Sequence, residues 1–581
     1  MRVEEIFHQQ PPPTGNPYLS DPVLPSLLRR LLPPSALNTI EPDLIRLGED
    51  LVHVIRPLAP TIKEPTLTQY DAWGNRVDTL YVSDGWNTLK TFARKEGVMS
   101  IPYERKFQEN SRIYQFAKVM LMNADCHVIM CPYAMTDGAA RVIELSGSDK
   151  MKHEVLPRLI SSDPAESYIS GQWMTESSGG SDVSRTETVA RPVTDQPNDL
   201  GPAYLLDGFK WFSSAAEGNM SVALARSESS TPGTGGLSLF LVPVRLPPFP
   251  TPLSNNILLH RLKDKFGTRA VPTAELSLNG TRAWRIGAPG AGVRQIAPVL
   301  NITRVHSSVS SVGALMRCLS LARAYAAVRT VDGGKLLTTV PIHMETLARV
   351  SVLYRALAHM LFGTIALLGK TECGVASKAE ETRLRLLTPT MKAFAALHAV
   401  SAMEECMAAL GGQGYMEETG IGRLIRDSLV EKIWEGTVEV LAHDLVRASR
   451  GQGVEEFCQW GQTIISSAPK KTPAIANLQQ TLTELPAIFR KTLNPLLPRS
   501  ILILFGHVAS ALFLLEHAVW SRSHDESKAE TDMVVFERWV GGLGQILNDI
   551  KCLEEGVEER IRVNGLVVGG LVGGENMRTK L

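Results

Sequence analysis

Glu435 stands between a large aromatic and a glycine, in the run Lys432-Ile-Trp-Glu-Gly-Thr437. An acid in that company suits a general base in an apolar cleft. Trp434 excludes water, Gly436 leaves room for a second molecule, and burial raises a carboxylate's pKa toward the working range of proton abstraction. Upstream, Ala408-Ala-Leu-Gly-Gly-Gln-Gly-Tyr-Met-Glu-Glu418 supplies Gly411, Gly412 and Gly414. These open backbone conformations closed to larger residues and let a ligand approach the main chain. The residues alone leave another reading open, a helix-loop-helix with glycine caps and a surface glutamate, since perturbed acids also arise for structural reasons.

A second stretch concentrates polar groups. Trp173-Met-Thr-Glu-Ser-Ser-Gly-Gly-Ser-Asp-Val183 puts the hydroxyls of Thr175, Ser177, Ser178 and Ser181, two glycines and main-chain amides into one short loop. Such loops cradle anions and hydrogen-bond the edges of heteroaromatic rings. An ordinary Gly-Ser turn is the competing reading.

The elements that must position these residues divide the chain into four segments: 1–165, 166–295, 296–450 and 451–581. The first reads as helical. Leu44, Leu47, Leu51, Val54 and Leu58 form one helical stripe, and Ile113 to Met130 is an apolar helix ending near Cys131-Pro-Tyr-Ala-Met-Thr136. The second is strand-rich. Tyr204 to Phe212, Met220 to Arg226, Gly236 to Pro243, Ile257 to Leu262 and Thr273 to Leu278 are apolar or alternating runs between Gly, Pro and Ser clusters, which predicts an antiparallel sheet. Helical periodicity returns from about Val299. Val312–Val328, Met344–Leu368, Ala379–Leu410 and Val438–Arg450 predict a bundle of four long helices. Past Gly451-Gln-Gly-Val the pattern predicts helices over Ile475–Leu485, Ile501–Trp520 and Asp532–Asn564, then a Gly-rich tail.

The totals exclude several classes. Lys+Arg 60 and Asp+Glu 60 cancel to a formal net charge of +0, so no global field recruits nucleic acid. The seven cysteines are scattered, with no CxxC and no Cys/His cluster at metal spacing, which predicts buried thiols in a reducing compartment and no metal site. The N-terminal run lacks the apolar core of a secretory signal. Ile501 to Trp520 is interrupted by His507, Glu516 and His517 and reads as a buried helix, not a membrane span. The chain ends Arg578-Thr-Lys-Leu581, close to the peroxisomal SKL address, so a cytoplasmic or peroxisomal location is expected.

Taken together, GGxGY, then RLIRD, then WEGT, with MTE-x-x-GGSD upstream, resembles the signature of the acyl-CoA dehydrogenase superfamily. Trp434 in place of the commoner Tyr, and the opening Gln-Pro to Asn16-x-Tyr18-x-Ser20-Asp21 segment, resemble its AidB-like branch of adaptive-response flavoproteins. The resemblance implies an α+β, acyl-CoA dehydrogenase-like fold. Its parts would be an N-terminal helical domain, a central antiparallel β-barrel or sheet domain, a helical bundle and an extra C-terminal helical region. It implies FAD as cofactor and an acyl-CoA substrate, with Glu435 as the catalytic base. Met174, Thr175, Gly180 and Ser181 would contact the cofactor. So would Phe212, Ser213 and Ser214 on the strand Gly208-Phe-Lys-Trp-Phe-Ser-Ser-Ala215, for which ordinary sheet packing is the alternative. Arg329, Gln413, Gly414, Trp434 and Thr437 complete the implied cofactor set; Ser181, Arg304 and Gly436 would face the substrate. Lys263-Asp-Lys-Phe-Gly-Thr-Arg269 resembles the family's K-x-G-x-R strand and would close the barrel near the site.

The chain departs from the family pattern in two places. Where R-x-x-F-G-x-P-I is usual, it has Arg329-Thr-Val-Asp-Gly-Gly-Lys-Leu-Leu337, with Asp332 for Phe; an acid beside a pyrophosphate weakens binding by repulsion. Glu439 replaces the more usual amide. The family suggests a homo-oligomer, tetramer or dimer, and leaves the electron acceptor open. Two other functions compete with the dehydrogenase. One is an AidB-like protein with vestigial chemistry that holds DNA through Lys470, Lys471, Arg490, Lys491, Arg499, Arg522 and Lys528, although the interleaved acids also fit a solvated surface. The other is a peroxisomal acyl-CoA oxidase.

Overall fold

The computed structural model describes residues 10–13, 15–196, 199–227, 233–245, 255–331, 333–468 and 471–569. Asp332, Lys470 and the C-terminal Thr-Lys-Leu therefore lie outside the described residues. Two compact units emerge, 1–376 with 395–437, and 377–394 with 438–581.

The first unit opens with helices Leu24–Leu31 and Pro34–Asp50. Leu44, Leu47 and Leu51 are buried as the stripe predicts, but Val54 is 54% exposed and Ile55 takes the core position. The cause is a π-helical turn at Leu51–Ile55, whose wider winding rotates the apolar face by one residue. Strands β1 (Thr66–Tyr70) and β2 (Arg76–Tyr81) interrupt the helices as an antiparallel hairpin that the periodicity does not announce. Its turn is built by Asp71, which accepts from the Trp73 and Asn75 amides, and by Gly74 at φ +81.

The apolar stretch from Ile113 to Met130 is not one helix. Helix Ser111–Asn123 ends, a short turn at His127–Ile129 intervenes, and helix Met130–Ser146 begins. Cys131-Pro-Tyr thus starts a helix where a stop was expected. Proline is tolerated there because the first-turn N–H groups have no intrahelical acceptor.

The strand-rich segment gives β3 (Ser170–Trp173), β4 (Val189–Pro192), β5 (Ala203–Ser214), β6 (Met220–Arg226), β7 (Leu237–Pro243), β8 (Ile257–Leu262) and β9 (Thr273–Ile286). Strands β4, β5, β9, β7 and β6 pair in a ring, closing a small barrel, while β8 pairs with β9. Its hairpin-type pairings are antiparallel as expected, but β3 and β4 meet β6 in parallel. Leu206, Phe240, Val242, Leu276 and Trp173 fill the interior.

Helix Gly292–Ala326 packs on Met130–Ser146, on Ser111–Asn123 and on the next helix, Pro341–Glu372. Between the last two, the divergent segment forms a tiny hairpin pairing Thr330–Val331 with Lys335–Leu336; Gly333 (φ +76) and Gly334 (φ +99) make its turn. Helix Lys378–Ala409 follows.

The second unit is helical. Gly451 adopts φ +86 and only four residues separate helix Val438–Ala448 from Gly453–Ser467, a helix the glycines conceal in the sequence. Helix Pro498–His524 is buried along nearly its whole length, with Phe505 at 4.5 Å from Phe457 and 5.8 Å from Phe489 between ring centroids. The stretch expected as one helix from Asp532 to Asn564 is cut into three, at Gly541-Gly542 and at Gly556 (φ +60).

Candidate active site

The turn that carries Glu431 and Glu435 is held by one helix. On Gly292–Ala326, Thr303 and Ser307 lie one turn apart on the same face, both buried. Thr303 Oγ1 donates to Glu435 Oε2 at 2.8 Å, and Ser307 Oγ donates to Glu431 Oε2. Arg304 Nε donates to the Glu435 carbonyl at 3.4 Å. Trp434 Nε1 donates to the same Glu431 oxygen as Ser307. Glu431 itself is 4% exposed, whereas Trp434, Glu435, Gly436 and Thr437 are half-buried. Glu435 therefore lines a wall and is not sealed in the core.

Its backbone is unusual: φ is +57 at Glu435 and +101 at Gly436. A left-handed, non-glycine residue costs on the order of 1 kcal/mol, and such strain clusters at functional sites. The fold offsets it with the Thr303 and Arg304 hydrogen bonds.

A second group of polar and aromatic residues comes from the barrel. Glu176 is buried and accepts from Lys210 Nζ (2.6 Å), Thr188 Oγ1 (2.5 Å) and the Glu187 amide (2.6 Å). The Trp211 amide donates to the Thr175 carbonyl at 2.9 Å. These bonds pin the Met174–Ser181 loop beside the end of β5. There Phe212 is 52% exposed, Thr175 and Ser214 are half-buried, and Gly180 and Ser181 are exposed at the loop tip. Lys263 Nζ lies 3.3 Å from the Trp211 ring centroid and 4.8 Å from that of Phe212. Among the described residues the buried Ser213 hydroxyl has no partner. A buried hydroxyl normally finds one, so this position is open to a hydrogen bond from a ligand or water.

Hydroxyls link this group inward. Ser214 Oγ and Thr273 Oγ1 share a 2.9 Å hydrogen bond, and Lys265 Nζ donates to Thr273 Oγ1 (3.0 Å) and to the Val271 carbonyl (2.6 Å). Burial pushes the Lys265 ammonium down to about 8, against the pull of Cys131 and Asp427. Burial pushes the Cys131 thiol up to about 12; Lys265 opposes this, while Glu431 and Glu435 add to it. Cys131 thus sits within electrostatic reach of both groups. The Lys263–Arg269 turn is locked in place by the Thr268 amide, which donates to Asp427 at 2.6 Å.

The structure thus joins Glu435, Trp434, Gly436 and Arg304 in one cluster, and Met174, Thr175, Gly180, Ser181, Phe212, Ser213 and Ser214 in another. Gln413 and Arg329 lie exposed on the surface. Gly414 is buried, and a Cβ there would sit 2.0 Å from the Met407 carbonyl oxygen. Thr303, Ser307 and Glu431 escape a reading of the sequence, whereas Lys265 falls in the K-x-G-x-R stretch. Their only signals are hydroxyls at i, i+4 on an apolar helix and an acid four residues before Glu435.

A planar heteroaromatic ring with hydrogen-bonding edges fits the donor set on the barrel wall. Aromatic rings, hydroxyls, main-chain amides of a Gly-Ser loop and a cation line it, and one buried hydroxyl there lacks a partner among the described residues. FAD carries such a ring together with phosphates.

Comparison with known proteins agrees. Three family profiles match: "Adaptive response protein AidB N-terminal domain" over 9–164, "Acyl-CoA dehydrogenase, middle domain" over 171–281 and "Acyl-CoA dehydrogenase, C-terminal domain" over 290–449. Acyl-CoA dehydrogenase family member 11 of Caenorhabditis elegans is 38% identical over 550 residues, covering 90% of this chain and 88% of that protein. The putative acyl-CoA dehydrogenase AidB of Escherichia coli is 29% identical over 67% of this chain and 70% of its own length. The crystal structure of Caenorhabditis elegans ACDH-11 in complex with C11-CoA superposes with a TM-score of 0.88 at 34% identity, covering 100% of this chain and 98% of that one. With the profiles tiling the chain from the N-terminal helices past the Glu435 turn, the chain belongs to the acyl-CoA dehydrogenase family of flavoprotein oxidoreductases, in its AidB-like branch.

Proposed function

We propose that the chain oxidises an acyl-CoA thioester to the 2,3-enoyl-CoA, with Glu435 as the base that removes the α-proton. The observation that carries this reading is the turn itself: a carboxylate held in a strained backbone conformation, with one oxygen bonded to Thr303. That bond fixes the orientation of the carboxylate. An α-proton is too weakly acidic for a carboxylate unless the thioester carbonyl is polarised by fixed donors away from water. The family resemblance gives part of that task to the main-chain N–H of Glu435. FAD, when bound, supplies the acceptor for the β-hydride. Met174, Thr175, Gly180, Ser181, Phe212, Ser213 and Ser214 would hold it from the barrel side, and Trp434 and Thr437 from the helical side. By the family resemblance Arg329 would reach the cofactor of a neighbouring copy, so a homo-oligomer is part of this reading, with Gln413 and Gly414 in the same proposed cofactor set.

The nematode relative was solved with C11-CoA, which favours a medium-length acyl chain for this chain too. The bulk of Trp434 works against long straight chains. The test is stopped-flow bleaching of the flavin absorbance with short, branched, eleven-carbon and long acyl-CoAs. Bleaching by at least one is expected, slowed about 10³-fold in Glu435→Gln. Bleaching by none, or undiminished bleaching in the variant, would refute the assignment.

The AidB-like alternative gains from the match of the N-terminal domain. Against DNA binding, Lys491 pairs with Glu554 at 2.8 Å, Arg499 pairs with Glu439, and Lys528 lies 3.8 Å from Asp525. Salt-dependent retention on DNA, lost on reversing these charges, would reinstate it. Peroxide release on turnover would favour the oxidase reading, and with it a peroxisomal location.

A further inference from the structure

Ser214 ends β5, Thr273 opens β9, and the two stand directly opposite one another in the antiparallel register. Their hydroxyl oxygens lie 2.9 Å apart, a contact in which either could donate. Lys265 Nζ settles the sense. It lies 3.0 Å from Thr273 Oγ1, and an ammonium only donates, so Thr273 accepts. Thr273 is buried, its hydroxyl has a single hydrogen, and among the described residues the Ser214 oxygen is the only acceptor that hydrogen has. Thr273 therefore donates to Ser214, and the Ser214 hydrogen is left for a group outside the pair. We infer that Lys265 is a positioning residue for the cofactor: through Thr273 it makes the Ser214 hydroxyl a charge-backed donor to an acceptor on the edge of the flavin ring. The inference rests on the reading above that Ser214 faces that ring.

The partners of this lysine set it apart from others in the chain. A buried ammonium is costly, and one kept for the fold alone is ordinarily paired with a carboxylate. Lys210 bonds Glu176 at 2.6 Å, and Lys118 bonds Asp43 at 2.7 Å. Lys265 instead donates to the Val271 carbonyl at 2.6 Å and to the Thr273 hydroxyl, with no carboxylate in hydrogen-bond contact among the described residues. Cys131, Asp427, Glu217 and Glu64 face it only through longer-range attraction. Its backbone is fixed on both flanks of Gly267: the Thr268 amide donates to Asp427 at 2.6 Å, and Arg269 Nε donates to Glu64 at 2.6 Å. Hydroxyls in a chain polarise one another, and a charged donor at one end strengthens the donor at the other. The charge that a carboxylate would have quenched is thus directed along Thr273 to Ser214.

The test reconstitutes FAD-free protein with FAD and reads two quantities: affinity by calorimetry and the position of the bound flavin's visible absorbance band. Wild type is compared with Lys265→Met, Thr273→Val, Ser214→Ala and the Lys265→Met/Thr273→Val double variant. At neutral pH, Lys265→Met and Thr273→Val should each weaken FAD binding about tenfold and move the band in the same direction. Thr273→Val keeps the lysine and only cuts the chain, so the double variant should bind no worse than either single one. Above about pH 8 the wild-type affinity should fall toward that of Lys265→Met, which itself shows no such step; the Cys131 thiol, pushed up to about 12, titrates outside this window. Additive losses in the double variant, or an unmoved band, would make Lys265 a prop of its turn and overturn the inference. Should Lys265→Met fail to fold, unchanged affinity in Thr273→Val overturns it instead. Ser214→Ala separates the two readings. If it leaves FAD affinity untouched, Ser214 does not face the ring and both fall; if it weakens binding while Lys265→Met does not, this inference falls alone.

Discussion

At the scale of single residues, the site is two groups of side chains whose charges are few and tightly placed. Glu435 and Glu431 stand in one, Lys265 in the other, with Cys131 within electrostatic reach of all three. The Lys265 ammonium, pushed down to about 8 by burial, makes a prediction with a definite sign. Between pH 8 and about 10.5 the unfolded chain still carries the proton that the folded chain has lost. More protons on the unfolded state mean that stability rises with pH across that window. Urea unfolding of wild type should show this rise, and Lys265→Met should flatten it. A flat wild-type profile between those limits would show that Lys265 is not desolvated. Glu435 was legible in the sequence because acid, aromatic and glycine are adjacent. Thr303 and Glu431 were not, because each becomes informative only when a distant partner (Glu435 for Thr303, Ser307 for Glu431) is brought to it.

At the scale of elements, the site depends on turns that leave no room for a side chain. Gly267 in the Lys263–Arg269 turn is the sharpest case. A Cβ there would sit 2.1 Å from the Arg426 carbonyl oxygen, a main-chain atom that cannot move cheaply. Gly267→Ala should force the turn away from helix Ile421–Ser428 and weaken the Thr268–Asp427 bond, costing about 1–3 kcal/mol. A fall of several degrees in Tm together with lower flavin content checks this; a variant of unchanged Tm would contradict the close approach. Much of the element pattern was readable. Strands β5, β6, β7, β8 and β9 fall where apolar alternation puts them, and helices Pro341–Glu372 and Pro498–His524 are long enough to dominate their windows. The misreadings have physical causes. The π turn at Leu51–Ile55 shifts the stripe without altering composition, and the β1–β2 hairpin is a short polar insert that carries no core periodicity. The parallel pairing of β3 and β4 with β6 is fixed by long-range closure of the barrel, which no local window contains. Past Asp532, glycines that could have been tolerated inside one helix instead end three.

For the molecule as a whole, buried ionisable groups make acid the sensitive direction. Burial, aided by Arg423, holds the His127 imidazole down at about 3, and burial, aided by Lys432, holds His398 at about 4. Asp43 is held at about 2, because bonds from Lys118, Tyr114 and Arg46 outweigh its burial. All three folded pKa values lie below the unfolded ones, so each group's contribution is complete above its unfolded pKa and is lost as pH falls toward the folded one. The two histidines should begin to erode stability below about pH 6.5, and Asp43 below about pH 4. A two-stage fall in Tm on acidification is expected, the first stage on the order of a few kcal/mol after solvent screening. Absence of the first stage would mean that the imidazoles are solvated. One consequence of the left-handed Glu435 reaches beyond its chemistry. Glycine would occupy that φ without cost, so the change that removes the proposed base also relaxes the backbone there. A descendant released from selection for turnover has a downhill route to an inert, sturdier binder of the same ligands, and Glu435→Gly is expected to melt no lower than Glu435→Ala.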